Sequence, residues 1–121
     1  MRVHSTLGPG LFEEVYKVCL RHELSKSGLK VLSEVGLPVR YDGFDLEVGY
    51  RIDLLVDDAV ILELKSIEHL APLHKAQLLT YLKLANKEVG LLLNFNAVHL
   101  KDGIIRVANS FPPPRPSRPP R

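Results

Sequence analysis

At 121 residues, with 45% hydrophobic and 25% charged side chains, the chain has the length of one globular domain and a composition that excludes whole-chain disorder. Its single cysteine excludes an internal disulfide framework and any multi-cysteine zinc site, and no apolar run reaches the roughly 18 residues that a membrane span needs. The formal charge of +2 belongs to the C-terminal end: residues 111–121 carry three of the 16 bases and no acid, so residues 1–110 hold 13 bases against 14 acids and lack the basic field of a typical nucleic-acid binder.

Residues 112–121 contain six prolines, three arginines and one serine. Proline fixes φ and removes backbone donors, so this stretch reads as a disordered tail, 111–121, after one domain over 1–110. Met1-Arg2-Val3-His4-Ser5-Thr6 has no apolar signal-peptide core, which makes the cytoplasm the expected location.

In chain order, Leu7-Gly8-Pro9-Gly10 is a breaker cluster. The apolar spacing from Leu11 to Ser25 predicts a helix, with Glu13 and Glu14 in its first turn, where carboxylates suit the helix dipole. Val31–Val39 is β-rich but carries Gly36 and Pro38, so it reads as an edge or bent strand. Asp42-Gly43 signals a hairpin into a long strand, Phe44–Val56, with a kink possible at Gly49. After a turn at Asp57-Asp58, Ala59–Ser66 reads as a central strand buried on both faces. Leu70-Ala71-Pro72 starts a second helix to about Asn86, and Val89–Phe95 is a short buried strand that completes a parallel crossover. Val98–Val107 reads as a last hairpin around Asp102-Gly103. The expected fold class is α/β: a mixed central sheet flanked by helices, in the order α-β-β-β-α-β with a terminal hairpin.

Three ionisable residues interrupt the apolar strands: Asp53, Glu63 and Lys65. Burying an unpaired charge is costly, so they imply either mutual pairing or a bound cation. Register decides whether the acids can meet. A two-residue turn at Asp57-Asp58 would set 53 opposite 62 and turn Glu63 away. A three-residue turn pairs 56 with 60 and 53 with 63, and this register, or a bulge with the same effect, is expected. Directly opposed residues bring their Cβ atoms within roughly 4.5–5.5 Å, where two carboxylates repel unless a divalent cation lies between them. Oxygen ligands favour Mg²⁺ or Mn²⁺ over zinc. A buried Asp/Glu–Lys ion-pair cluster without chemistry is the competing reading.

Asp53, nine intervening residues, then Glu63-Leu64-Lys65 resembles the motif of the PD-(D/E)XK nuclease superfamily. Within it the chain is similar to the GxxExxY group, through Gly10-Leu11-Phe12-Glu13-Glu14-Val15-Tyr16, and to its RecB-like branch, through Gln77-x-x-x-Tyr81. The resemblance also takes in Tyr50-Arg51-Ile52-Asp53 and Gly90-Leu91-Leu92-Leu93-Asn94-Phe95, nearly the whole body. It implies a restriction-endonuclease-like core and cleavage of DNA, ahead of RNA. Asp53, Glu63 and the Leu64 carbonyl would hold Mg²⁺ or Mn²⁺, with Glu13 as an additional acid. Lys65 would orient or polarise the attacking water, Gln77 would bond a water or phosphate, and Tyr81 would contact the substrate strand. Residue 52 is Ile where the superfamily name has Pro. Members usually carry a further helix before the Leu-Gly-Pro-Gly turn, so that helix is expected to be absent or cut short here.

Tyr16 reads as a packing residue with a bonded hydroxyl, Cys19 as core, and Asp57-Asp58 as a solvated turn. The five histidines form no metal-ligand spacing, so zinc is not expected. An alternative function is a nuclease-fold module that binds nucleic acid or protein with weak or no activity. The edge near Gly36-Pro38 leaves a homodimer open.

Overall fold

The computed structural model describes residues 2–109. The tail expected over 111–121 lies outside the described residues. The elements are α1 (Arg2–Leu7), α2 (Glu13–Lys26), β1 (Val31–Tyr41), β2 (Phe44–Val56), β3 (Val60–Lys65), α3 (Pro72–Ala85), β4 (Val89–Asn94), a 3₁₀ turn (Leu100–Gly103) and β5 (Ile104–Ala108). The strands form one five-stranded sheet in the order β1-β2-β3-β4-β5. All neighbouring pairs are antiparallel except β3 and β4, which the α3 crossover joins in parallel. No helix among the described residues is long and apolar enough to cross a membrane.

Each face of the sheet buries its own helix. Tyr16 and Leu20 of α2 pack with Leu54, Leu62, Leu64 and Phe95. Leu78 and Leu82 of α3 pack with Ile61, Leu55 and Leu92 on the opposite face. β3 therefore alternates between two apolar layers, as the near-continuous run Val60-Ile61-Leu62 demands. The edge strand expected at Val31–Val39 is β1, which pairs with β2 alone. Its register slips between Leu37 and Val39, where β2 carries Gly49. A side chain there could not fit, because a Cβ would stand 2.5 Å from the Leu37 carbonyl oxygen. The Asp42-Gly43 hairpin forms with both residues at positive φ, as the spacing predicts.

Of two expectations, one is narrowed to its second alternative, a helix cut short, and one needs correction. Arg2–Leu7 is a short helix, α1, with Val3 buried in the α2-side core and the His4 imidazole Nε2 2.8 Å from the Ala97 carbonyl oxygen. The terminal hairpin within Val98–Val107 does not form. Leu100 is buried beneath the sheet, residues 100–103 wind into the 3₁₀ turn, and β5 pairs with β4 from Leu93↔Ile104 to Val89↔Ala108. The apolar run of β4 offers β5 a longer ladder than residues 98–101 can.

Candidate metal centre

The β2–β3 hairpin sets the register that brings the acids together. Asp57 and Asp58 take φ 53° and 55°, which Asp tolerates better than most side chains, and Ala59 N–H closes the turn on Val56 C=O. Ala59 is the extra residue, so Val56 pairs with Val60, Leu55 with Ile61 and Leu54 with Leu62. The next positions in that register are Asp53 and Glu63. The backbone ladder stops there and the two strands part.

Each carboxylate fills the gap by taking the other strand's backbone donor. Asp53 N–H donates to Glu63 Oε2 at 3.0 Å, and Leu64 N–H donates to Asp53 Oδ2 at 2.8 Å. In an extended strand the N–H and C=O of one residue leave on the same edge, so the Leu64 carbonyl faces this gap too. Lys65, one residue on, turns its carbonyl to the other edge and accepts from Phe95 N–H at 2.8 Å.

β1 is irregular at the same level. The β1–β2 pairs on either side are Ser33↔Leu54 and Val35↔Ile52, and between them Glu34 takes φ 56°. Leu54 packs on the α2 side while Ile52 packs on the α3 side, so the alternation of faces breaks at Asp53. Positive φ at a non-glycine residue costs energy and persists only where the surroundings impose it. Here the Glu34 carboxylate is bonded to the Lys17 ammonium, which also pairs with Glu14 at 2.8 Å.

From the α2 side, Glu13 reaches the end of β3, where its Oε2 accepts from Ser66 N–H at 3.2 Å. Ser66 Oγ donates to the Leu11 carbonyl at 2.6 Å. A cleft of about 240 Å³ is lined by Glu13, Glu14, Lys17 and Asp53. Tyr16 holds the preceding loop: its ring stacks on Phe95 with centroids 4.4 Å apart, and its hydroxyl donates to Gly8 C=O and accepts from Leu11 N–H. From the α3 side, Tyr81 lies against Tyr50 with ring centroids 5.3 Å apart.

The electrostatics are those of an acid pair without a basic partner. Among the described residues no lysine, arginine or histidine forms an ion pair with Asp53 or Glu63. The ion-pair cluster that would have made these residues purely structural is therefore not formed. Burial first, and then the Asp53 charge, push Glu63 from an ordinary 4.5 up to about 8. Burial also raises Asp53, against the Leu64 N–H and the charges of Lys17 and Lys65, which favour its ionised form. Tyr81 is raised by burial and by the charges of Glu63, Tyr50 and Asp53, so α3 overlooks the same gap.

Among the described residues no three His, Cys, Asp or Glu side chains converge as a finished metal cage would. The donor set nevertheless fits a hard divalent cation: a buried and a half-buried carboxylate that repel each other, and a backbone carbonyl, all oxygen. Glu13 points to Ser66 and does not join the pair. Gln77 is exposed on α3, without a side-chain hydrogen bond among the described residues.

A family model described as the PD-(D/E)XK nuclease superfamily matches residues 1–107. The chain belongs to that superfamily. No curated protein and no solved structure matches it. The mixed five-stranded sheet with helices on both faces is consistent with the superfamily's restriction-endonuclease-like fold.

Sequence reading missed several residues around this PD-(D/E)XK site. Lys17 lies on the buried side of α2, one turn from Leu20, and Glu34 interrupts the apolar pattern of β1; both were visible as misplaced charges. Ser66 and Asn94 gave weaker signals. The buried Asn94 amide donates to Ile67 C=O at 2.9 Å, and its Oδ1 accepts from Ile67 N–H and Asn96 N–H. It thereby fixes the chain leaving β3. His74 accepts from Ala71 N–H at the start of α3, and Asp57-Asp58 is exposed at the far end of the hairpin.

Proposed function

We propose that the chain is a metal-dependent nuclease domain of the GxxExxY group, in the RecB-like branch, hydrolysing phosphodiester bonds in DNA ahead of RNA. The observation that carries this reading is the pair of acids where β2 and β3 part: half-buried Asp53 and buried Glu63, each bonded to the other strand's backbone and neither in an ion pair among the described residues.

Asp53, Glu63 and the Leu64 carbonyl would hold Mg²⁺ or Mn²⁺, with Glu13, which lines the same cleft as Asp53, as an additional acid. A bound divalent ion supplies the Lewis acidity that activates water and neutralises phosphate oxygens. Lys65 shares the Glu63 face of β3, and its ammonium orients the attacking water and balances charge growing on the phosphate. Gln77 and Tyr81, one turn apart on α3, bind the substrate strand. The acids of the cleft repel DNA until a cation reverses the local sign, which agrees with a body at −1. The same reading takes residues 1–110 as the catalytic domain, 111–121 as a Pro/Arg-rich tail and the cytoplasm as its place of action.

The test is Mn²⁺-dependent cleavage of plasmid and of single-stranded DNA, with Asp53→Ala and Lys65→Ala as controls. Cleavage lost in both variants supports the proposal. The second reading, a binding or assembly module, is favoured by the net charge of −1 over residues 1–110, which lacks the basic excess of a typical nucleic-acid binder. Metal binding without Lys65-dependent cleavage would leave only that module.

A further inference from the structure

We infer that Tyr50 and Tyr81 form a stacking platform for unpaired bases beside the carboxylate pair, making single-stranded DNA the preferred substrate over duplex. The inference rests on the nuclease reading for its site and deepens it. Tyr50 lies three residues before Asp53 on β2, and Tyr81 reaches it from α3 with ring centroids 5.3 Å apart and planes 42° from parallel. Tyr50 is 46% exposed, so part of its ring is open to solvent, and its partner Tyr81 feels the charges of Asp53 and of the deeper acid Glu63, which is only 7% exposed.

Charge points the same way. Duplex affinity comes from several Lys and Arg residues neutralising phosphates. Here residues 1–110 stand at −1, and Lys17, the cation nearest the cleft, is already held by Glu14 and Glu34. Stacking on an aromatic face is available only to a base that is not paired, and contributes about 5- to 150-fold in affinity per base. A single strand can also bend its phosphate towards a recessed carboxylate, where a stiff duplex cannot. Beyond Tyr50 a shallow groove of about 350 Å³ runs past Gly36, Pro38 and Gly49 to Arg51. Arg51 is exposed and forms no ion pair among the described residues, which suits it to the phosphate of the next nucleotide.

The competing account is an aromatic latch that only joins β2 to α3. Binding of a labelled single-stranded DNA oligonucleotide, the matching duplex and the matching RNA, measured by anisotropy in Ca²⁺, separates the two. The platform predicts single-strand affinity at least about tenfold above duplex. Tyr50→Leu and Tyr81→Leu should each lower it about fivefold or more, Tyr50→Phe should restore it, and Tyr41→Leu, at the distant hairpin tip, should leave it unchanged. Arg51→Ala should reduce the salt slope by about one ion. Equal or tighter duplex binding overturns the inference, as do Leu variants that bind as the parent does or that weaken both DNA forms alike. Tighter RNA binding overturns the assignment to DNA. Should a Leu variant fail to fold, the parent chain still decides. It has four tyrosines and no tryptophan, so its emission reads tyrosine directly. Quenching by single strand and not by duplex is expected, and absence of quenching overturns the platform. Parallel Mn²⁺ cleavage assays keep the two proposals apart: tyrosine-dependent single-strand binding without cleavage sinks the nuclease reading alone, and cleavage of duplex untouched by the Leu variants sinks the platform alone.

Discussion

Glu63→Gln isolates the charge repulsion at the parting strands. The amide oxygen can still accept the Asp53 N–H, so shape and hydrogen bonding are kept while one negative charge is lost. In an unfolded chain Glu63 ionises near 4.5, and in the fold it does so at about 8. An acid whose pKa rises on folding binds its proton more tightly in the native state. Its contribution to stability is then complete below pH 4.5 and is lost as pH climbs through 8. Each pH unit in that window removes at most about 1.4 kcal/mol, for a ceiling of about 4 kcal/mol by pH 8, since water entering the cleft relieves part of the repulsion. Glutamine does not titrate, so in EDTA the variant should match the parent near pH 5 and exceed it in stability by a few kcal/mol near pH 8. In Mn²⁺ the order should reverse, because the parent gains binding free energy that the variant cannot. Urea denaturation at several pH values, with and without Mn²⁺, measures both. A parent curve flat with pH in EDTA, or a Glu63→Gln protein that Mn²⁺ stabilises as well as the parent, would refute the reasoning.

Three further changes probe the surroundings. Lys65→Ala should keep Mn²⁺ binding by calorimetry while DNA cleavage falls about 10²-fold or more. Tyr16→Phe removes the hydroxyl shared by Gly8 C=O and Leu11 N–H and should cost about 1–3 kcal/mol in urea denaturation. Because the Leu11 carbonyl also receives Ser66 Oγ, the same variant should loosen the approach of Glu13 to β3, read as faster amide exchange at Ser66. Asn94→Ala removes three hydrogen bonds from a buried side chain and should cost about 2–4 kcal/mol, with exchange at the Ile67 amide accelerated first.

Much of this arrangement was readable before any coordinates, because its signals are local. Asp42-Gly43 and Asp57-Asp58 are turns whose chemistry sits in adjacent residues. Counting from the second gave a register in which residue 53 follows opposite 63. The apolar run Val60-Ile61-Leu62 at the start of β3 announced a strand covered on both sides. The last hairpin was misread for a related reason: Asp102-Gly103 is a sound local turn signal, but a longer ladder with β4 and the burial of Leu100 outweighed it. Lys17 and Glu34 showed as misplaced charges, but their roles and those of Ser66 and Asn94 stayed hidden because each has a partner 17 to 55 residues away in sequence. Periodicity ranks a residue against its neighbours, and says nothing about a carbonyl that folding brings in from the far end of the chain.

The opening between β2 and β3 is spanned by side chains, one of them a methylene longer than the other. Asp53 and Glu63 thus act as spacers as well as donors, and their lengths gauge how far the two backbones stand apart. Exchanging the two residues would conserve every formal charge yet lengthen one spacer and shorten its neighbour. In this fold, aspartate on one strand and glutamate on the next is a matter of measured reach as much as of sign.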